Sequence, residues 1–233
     1  MQKTNRIWEL DALRGFAVLC GVVLHFLYDL NALMAVPIVE NPVIYVIMQY
    51  GGILFVALSG LCATLGRRSF RRGLIVFACG MGITLVTLGM VWLGMAYESI
   101  IIWFGVLHLL GVCMMVWPLC KKLPVWVLAV LGAGFVALGY WLDTLTVETH
   151  WLIWLGLKFP GFATSDYFPL LPNLGWFLLG AVLGRTAYKN KTTLLPKFPA
   201  EAAVIRFFRW CGTHSLWIYL IHQPVIYGIL SLL

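Results

Sequence analysis

Charged side chains are scarce in this chain: Asp, Glu, Lys and Arg make up 11% of its 233 residues, whereas 62% are hydrophobic. Soluble domains are typically about one quarter charged. The mean hydropathy of +0.93 adds to the contrast, and long apolar runs follow one another with only short polar gaps. This composition excludes an ordinary soluble domain and predicts a polytopic, all-α integral membrane protein surrounded by membrane lipid.

Patterns typical of other protein classes are also missing. No segment alternates apolar and polar residues with a period of two, which argues against a transmembrane barrel. The six cysteines form neither a CxxC pair nor a cluster with histidines, so no metal site and no disulfide framework is expected. Only nine acidic residues oppose sixteen Lys and Arg. We interpret this excess as cations of cytoplasmic loops and expect no nucleic-acid partner.

The apolar runs predict about seven transmembrane helices within a single domain over residues 1–233. The predicted spans are residues 12–34, 43–65, 73–93, 99–120, 124–142, 172–188 and 210–232. Lys and Arg precede the first span and fill the second, fourth and sixth gaps between spans, whereas the other gaps hold almost none. By the positive-inside rule, the N-terminus is expected in the cytoplasm and the C-terminus outside.

The first predicted span contains three polar residues, Arg14, His25 and Asp29, in an otherwise apolar run. Such residues rarely face lipid. Eleven helical residues return to nearly the same face, so His25 is expected roughly 16 Å deeper than Arg14, and Asp29 follows one turn later. A histidine beside a carboxylate is a candidate general base, because the carboxylate orients the ring and stabilises its protonated form. A hydrogen bond between helices is the alternative role.

Other polar residues have two interpretations each. His108 and His222 lie within predicted spans and either line a pocket or pack. His214, near the cytoplasmic entrance, either contacts an anionic ligand or caps its helix. Asp166 and Tyr167 lie outside, before the sixth span, where an acid beside an aromatic ring suits sugar binding; a turn with an aromatic anchor explains them equally well.

Several sequence segments resemble known membrane enzymes. Residues 10–15 (Leu-Asp-Ala-Leu-Arg-Gly), followed by His25, resemble the start of the transmembrane acyltransferase superfamily. That group includes polysaccharide O-acetylating acyltransferases and the heparan-α-glucosaminide N-acetyltransferase family. Residues 166–172, the Gly184-Arg185 pair and residues 214–224 resemble bacterial proteins of the latter family.

The resemblance implies an acetyl-CoA-dependent acyltransferase of the bacterial inner membrane. Acetyl-CoA is then the cytoplasmic donor, and a sugar or glycan is the acceptor on the far side. His25 is implied to be catalytic, as a base or as an acyl carrier, assisted by Asp29. Arg14 is implied to hold the coenzyme, with Arg185 and His214 as further cofactor-side candidates. Substrate-side candidates are Asp166, Tyr167, His108 and His222.

Two other functions remain open at this stage. Intramembrane His, Asp and Arg also suit the proton relay of a small proton-coupled transporter, although no inverted repeat is evident. In a non-catalytic membrane subunit, the same residues would only fix helix packing. The acceptor, the choice between O- and N-acylation, and a possible homo-oligomer are not determined by the sequence.

Overall fold

A computed structural model describes residues 6–34, 41–230 and 232 of the chain. Within these ranges it contains eight α-helices, two short 3-10 helices and no strand, which confirms the all-α class. The 3-10 helices are Glu98–Ile100 and His150–Leu152. The α-helices are α1 Trp8–Met34, α2 Pro42–Leu65, α3 Ser69–Trp92, α4 Val106–Cys120, α5 Val125–Leu142, α6 Leu170–Thr186, α7 Ala203–Thr213 and α8 Ser215–Leu230.

Within the described residues, four helical segments are long and apolar enough to cross a membrane. They are Trp8–Asn31, Pro42–Leu65, Ser69–Trp92 and Val125–Leu142. A crossing needs about 20 predominantly apolar residues. Helices α4 and α8 are also apolar but shorter. The structure therefore agrees with an integral membrane protein, while the number of seven spans stays a prediction.

The fourth predicted span, residues 99–120, begins too early. Helix α4 starts at Val106, because the backbone just before it is bonded to the loop that precedes α6. Phe168 donates its N–H to the Phe104 carbonyl at 3.0 Å, and the Thr164 hydroxyl donates to the Ile101 carbonyl at 2.7 Å. The Phe104 and Ile101 carbonyls accept hydrogen bonds from the loop before α6 and not from a following helical turn. The helical part of the predicted span is therefore shorter than expected.

The last predicted span, residues 210–232, is divided between two helices. Helix α7 ends at Thr213, and His214 follows with φ −108° and ψ 15°. The His214 N–H donates to the carbonyls of Trp210 and Cys211 at 3.1 and 3.2 Å, which closes the last turn of α7. Helix α8 then begins at Ser215 and continues through Pro224. The predicted span crosses this break, although residues 212–215 (Gly-Thr-His-Ser) interrupt the apolar run there.

The chain forms two compact units. The terminal unit comprises Met1–Leu58 and Ala187–Leu233, and the central unit comprises Ser59–Thr186. In the terminal unit, α1 packs against both α7 and α8, and more extensively against α7. In the central unit, α3 packs on α4 and α5 packs on α6. The first and last parts of the sequence therefore build one unit together.

Glycines allow the closest helix crossing of the terminal unit. A Cβ atom added at Gly15 of α1 would overlap the Phe208 carbonyl oxygen of α7, and one added at Gly212 would overlap the Asp11 carbonyl oxygen. Small residues at such crossings let helix backbones touch, which is a main source of packing energy between membrane helices. The crossing sets the position of α1, which bears the predicted polar residues.

Candidate functional site

Two histidines of the terminal unit lie against each other, one on α1 and one on α8. The ring centroids of His25 and His222 are 4.9 Å apart, with the ring planes tilted by 56°. Tyr219, one turn before His222, has its ring 6.5 Å from His25 and 5.0 Å from His222. His222 is buried. The structure thus brings together two residues that the sequence suggested separately.

The His222 ring is oriented by the backbone of its own helix. Its Nδ1 contacts the Tyr219 carbonyl, and a carbonyl oxygen can only accept a hydrogen bond, so Nδ1 carries the hydrogen. In a neutral ring, Nε2 then holds the lone pair and is the basic nitrogen. This tautomer is assigned from the hydrogen bond.

The Asp29 carboxylate is hydrogen-bonded to a side chain of another helix. It lies one turn beyond His25 on α1, as predicted, but its Oδ2 accepts a hydrogen bond from Gln223 Nε2 of α8 at 2.7 Å. The sequence suggested that this carboxylate orients His25 directly. In the structure, the carboxylate joins α1 to α8, and the neighbours of the His25 ring are His222 and Tyr219.

Arg14 lies near the start of α1, beside the Gly15 crossing. Its Nη1 is 3.9 Å from Asp11 Oδ1, and about a quarter of its side chain is exposed. This is the long end of the distance range for an ion pair, so the pair engages the guanidinium only weakly. Glu9 accepts hydrogen bonds from the Thr193 hydroxyl at 2.8 Å and from the Leu194 N–H at 2.7 Å. These bonds hold the Lys-containing α6–α7 loop at the same end of α1.

The other two predicted coenzyme contacts bond to the protein itself. His214 Nδ1 is 2.9 Å from the Trp210 carbonyl, and its ring is 4.6 Å from the Trp210 ring; these are the contacts of a helix cap. Arg185, at the end of α6 in the central unit, donates from Nη1 to the Leu123 carbonyl in the α4–α5 loop.

His108 of the central unit uses both ring nitrogens: Nδ1 bonds to the residue before its own helix α4, and Nε2 joins α4 to α3. Gly105 donates its N–H to His108 Nδ1 at 3.2 Å, which makes Nδ1 an acceptor and assigns the hydrogen of the neutral ring to Nε2. His108 Nε2 then donates to the Thr84 hydroxyl at 3.2 Å, and Thr84 donates to the Ile102 carbonyl at 2.6 Å. The network is self-consistent and fixes the backbone ahead of α4.

Asp166 and Tyr167 fasten the loop before α6. The buried Asp166 carboxylate accepts a hydrogen bond from the Val106 N–H at 3.1 Å, which satisfies a donor in the first turn of α4. The Tyr167 hydroxyl donates to the Ile153 carbonyl at 2.7 Å. Burial raises the pKa of this phenol, and the Asp143 carboxylate raises it further, so Tyr167 stays neutral and remains a donor at physiological pH.

We expect Asp166→Ala to destabilise the protein by about 1–2 kcal/mol, because it leaves a buried helix-terminal N–H without its carboxylate acceptor. Asp166→Asn is the matched control, since its amide oxygen still accepts. Thermal unfolding of the purified protein in detergent measures both. Equal losses in the two variants would contradict a capping role.

Three residues that contribute to these clusters were not predicted from the sequence. Tyr219 and Gln223 flank His222 on α8, and Thr84 bonds His108. Gln223 had a usable signal, because an amide beside a histidine is unusual in an apolar helix. Thr84 had none, since hydroxyls are common in membrane helices and its partner is 24 residues away.

The all-α fold, its long apolar helices and a histidine pair inside apolar helices define an integral membrane protein with an internal polar site. The model of the family described as "Heparan-alpha-glucosaminide N-acetyltransferase, catalytic" matches residues 6–224. The chain belongs to this family, which implies a membrane acetyltransferase. The resemblance expected from these sequence segments is thereby confirmed.

The remaining comparisons add no relative. No curated protein and no solved structure matches the chain. In the part of the chain that the structure describes, no group of three or more His, Cys, Asp or Glu is arranged to hold a metal. The family in general depends on acetyl-CoA.

Proposed function

We propose that the protein transfers an acetyl group from cytoplasmic acetyl-CoA to a glycan or related envelope acceptor. It acts as one catalytic domain over residues 1–233, with seven spans, a cytoplasmic N-terminus and an external C-terminus, in a bacterial inner membrane. The observation that carries the proposal is the family match over residues 6–224. The histidine pair on α1 and α8 supports it, because that pair lies in the matched region.

His25 is the proposed reacting group. As a base, it takes the proton of the acceptor O–H or N–H while the acceptor atom bonds to the acetyl carbon. The carbon–sulfur bond then breaks, and the proton on His25 passes to the departing coenzyme A thiolate. As an acyl carrier, the neutral His25 ring would attack the acetyl carbon, and the carbon–sulfur bond would break to release coenzyme A thiolate. The acceptor would then attack the acetyl carbon, the bond from that carbon to the imidazole nitrogen would break, and the acceptor proton would pass to the thiolate. Both routes require His25.

Arg14 is the proposed contact for the anionic end of the coenzyme. A guanidinium offers five donors in a planar fork that matches phosphate oxygens, and the Asp11 pair at 3.9 Å engages it weakly. The Lys-containing loop held by Glu9 at the same end of α1 adds positive charge. His214 and Arg185 are proposed as secondary contacts of the coenzyme.

The proposed acceptor-side residues are Asp166, Tyr167, His108 and His222. Three of them bond to the protein backbone through the groups that a sugar would use. We therefore assign Asp166, Tyr167 and His108 an indirect part, in which they fix the loops that precede α4 and α6. His222 contacts His25 itself.

Binding of acetyl-CoA to the purified protein in nanodiscs tests the proposal. We expect saturable binding by the wild type and about tenfold weaker binding by Arg14→Ala, the loss expected for one charge-assisted hydrogen bond. Lys158→Ala is the matched control. It removes a cation from an exposed pair with Asp143, on the side predicted to face away from the coenzyme, and should leave the dissociation constant unchanged.

Two results would contradict the proposal. The first is an absence of acetyl-CoA binding by folded wild-type protein. The second is an equal loss of binding in Arg14→Ala and Lys158→Ala, which would mean that any lost cation weakens binding. Transport of a labelled solute without coenzyme A dependence would instead favour the transporter.

A further inference from the structure

Gln223 of α8 holds the only carboxylate near the His25 ring in the described part of α1. Its Nε2 donates to Asp29 Oδ2 at 2.7 Å. Gln223 follows His222 directly in sequence, and Asp29 follows His25 by one helical turn. The Asp29–Gln223 hydrogen bond and the His25–His222 ring contact therefore join the same two helices at two places.

Helix α8 packs less extensively against α1 than α7 does, so less packing fixes its position there. Helix α1 packs more extensively on α7 than on α8, and its glycine crossing is with α7. Between helices in a membrane there is no hydrophobic driving force, because lipid tails are as apolar as the side chains they replace. A polar contact between helices therefore has a large influence on register.

Register decides whether the two histidines meet. Rotating a helix by one residue turns each side chain by about 100°, which would move His222 away from His25. A carboxylate facing lipid is costly, so the Asp29–Gln223 bond favours the one register in which Asp29 is satisfied. That same register brings the ring centroids of His25 and His222 to 4.9 Å.

We propose that Gln223 is a positioning residue: by holding Asp29, it fixes α8 on α1 so that His222 lies against the reacting His25. This inference rests on the proposed function, since it takes His25 as the group that reacts. It assigns Asp29 a positional part in place of direct orientation of the His25 ring. Gln223 itself touches neither donor nor acceptor.

The test removes or exchanges the hydrogen-bonding groups of Asp29 and Gln223. In Gln223→Met the donor is lost at similar side-chain length, and Gln223→Glu places two carboxylates face to face. Asp29→Asn keeps an acceptor oxygen for Gln223 and removes only the charge. The double variant Asp29→Asn with Gln223→Glu restores the bond with donor and acceptor reversed. Val225→Ala, an exposed position two residues further along α8, controls for general effects on the helix.

The readout is release of coenzyme A thiol from acetyl-CoA with a panel of amino and hydroxyl sugars as acceptors. We expect Gln223→Met and Gln223→Glu to lower kcat by about tenfold to a hundredfold, as when a reacting group is displaced by about 1 Å. The KM for acetyl-CoA should not change. Asp29→Asn, which keeps the acceptor oxygen, should lose less activity than Gln223→Glu, and the double variant should recover most of the loss of Gln223→Glu.

Several outcomes would overturn the inference. They are full activity of Gln223→Met, a double variant no better than Gln223→Glu alone, or an Asp29→Asn variant as impaired as Gln223→Glu, which would mean that the charge of Asp29 acts on the histidine pair directly. If Gln223→Met does not fold, the exchange pair decides. Failure of the proposed function looks different, because the wild type itself would then neither bind acetyl-CoA nor release thiol.

Discussion

Replacing His25 by alanine should reduce acetyl transfer by at least about a hundredfold, the lower range for loss of a positioned acid–base group. If His25 carries the acetyl group, the loss is larger, because a whole step of the reaction disappears. Acetyl-CoA binding should persist, since Arg14 and the Lys-containing loop lie toward the start of α1. Thiol release from acetyl-CoA, measured beside acetyl-CoA binding, separates the two effects.

One control changes His25 itself, and the other changes a histidine outside the candidate site. His25→Gln keeps a polar side chain and should be as inactive as His25→Ala, because an amide does not accept a proton at neutral pH. His150→Ala removes an exposed histidine that contacts Phe159 with ring centroids 4.1 Å apart and should keep full activity. An active and folded His25→Ala would remove His25 from the mechanism.

Replacing Gly15 by alanine should destabilise the terminal unit by about 3 kcal/mol. The added methyl group would overlap the Phe208 carbonyl oxygen and lie 2.7 Å from the Gly212 nitrogen. These are backbone atoms, so no side-chain rotation relieves the overlap and α1 must move away from α7. The fall in unfolding temperature and in the yield of monodisperse protein in detergent measures the effect.

The same helix supplies the matched control. A Cβ added at Gly21 of α1 meets nothing within 4 Å, and alanine favours a helix over glycine by up to about 1 kcal/mol. Gly21→Ala should therefore be neutral or slightly stabilising. If both variants lose stability equally, the cost lies in the helix itself and the α1–α7 crossing is not the cause.

Local sequence patterns predicted the structural features that depend on residues close together in the chain. Hydropathy gave the helices, and helical geometry placed Arg14, His25 and Asp29 along one helix, which the unbroken α1 confirms. The break at His214 has a local signal, because residues 212–215 (Gly-Thr-His-Ser) interrupt the apolar run, but the predicted span crosses them. The late start of α4 was missed because it depends on bonds to a loop about sixty residues away.

Local sequence patterns did not predict which residues bond to each other within the candidate site. Asp29 and Gln223 are 194 residues apart in sequence, and no periodicity connects them. Asp166 presents an acid beside an aromatic ring, as in many sugar sites, yet its carboxylate caps α4. A motif indicates which residues can react, whereas the packed structure determines which of their atoms are already bonded.

The division of the terminal unit between the two ends of the sequence has a consequence for biosynthesis. Asp29 emerges from the ribosome with α1, and Gln223 follows 194 residues later, a delay of roughly 10–40 s at ordinary rates of translation. During that time the carboxylate has no α8 to bond to, and an ionised group on an isolated helix is costly in lipid. Release of α1 into the bilayer is therefore expected to wait for α7 and α8, so that the nascent chain is retained at the insertion machinery until its last helices arrive.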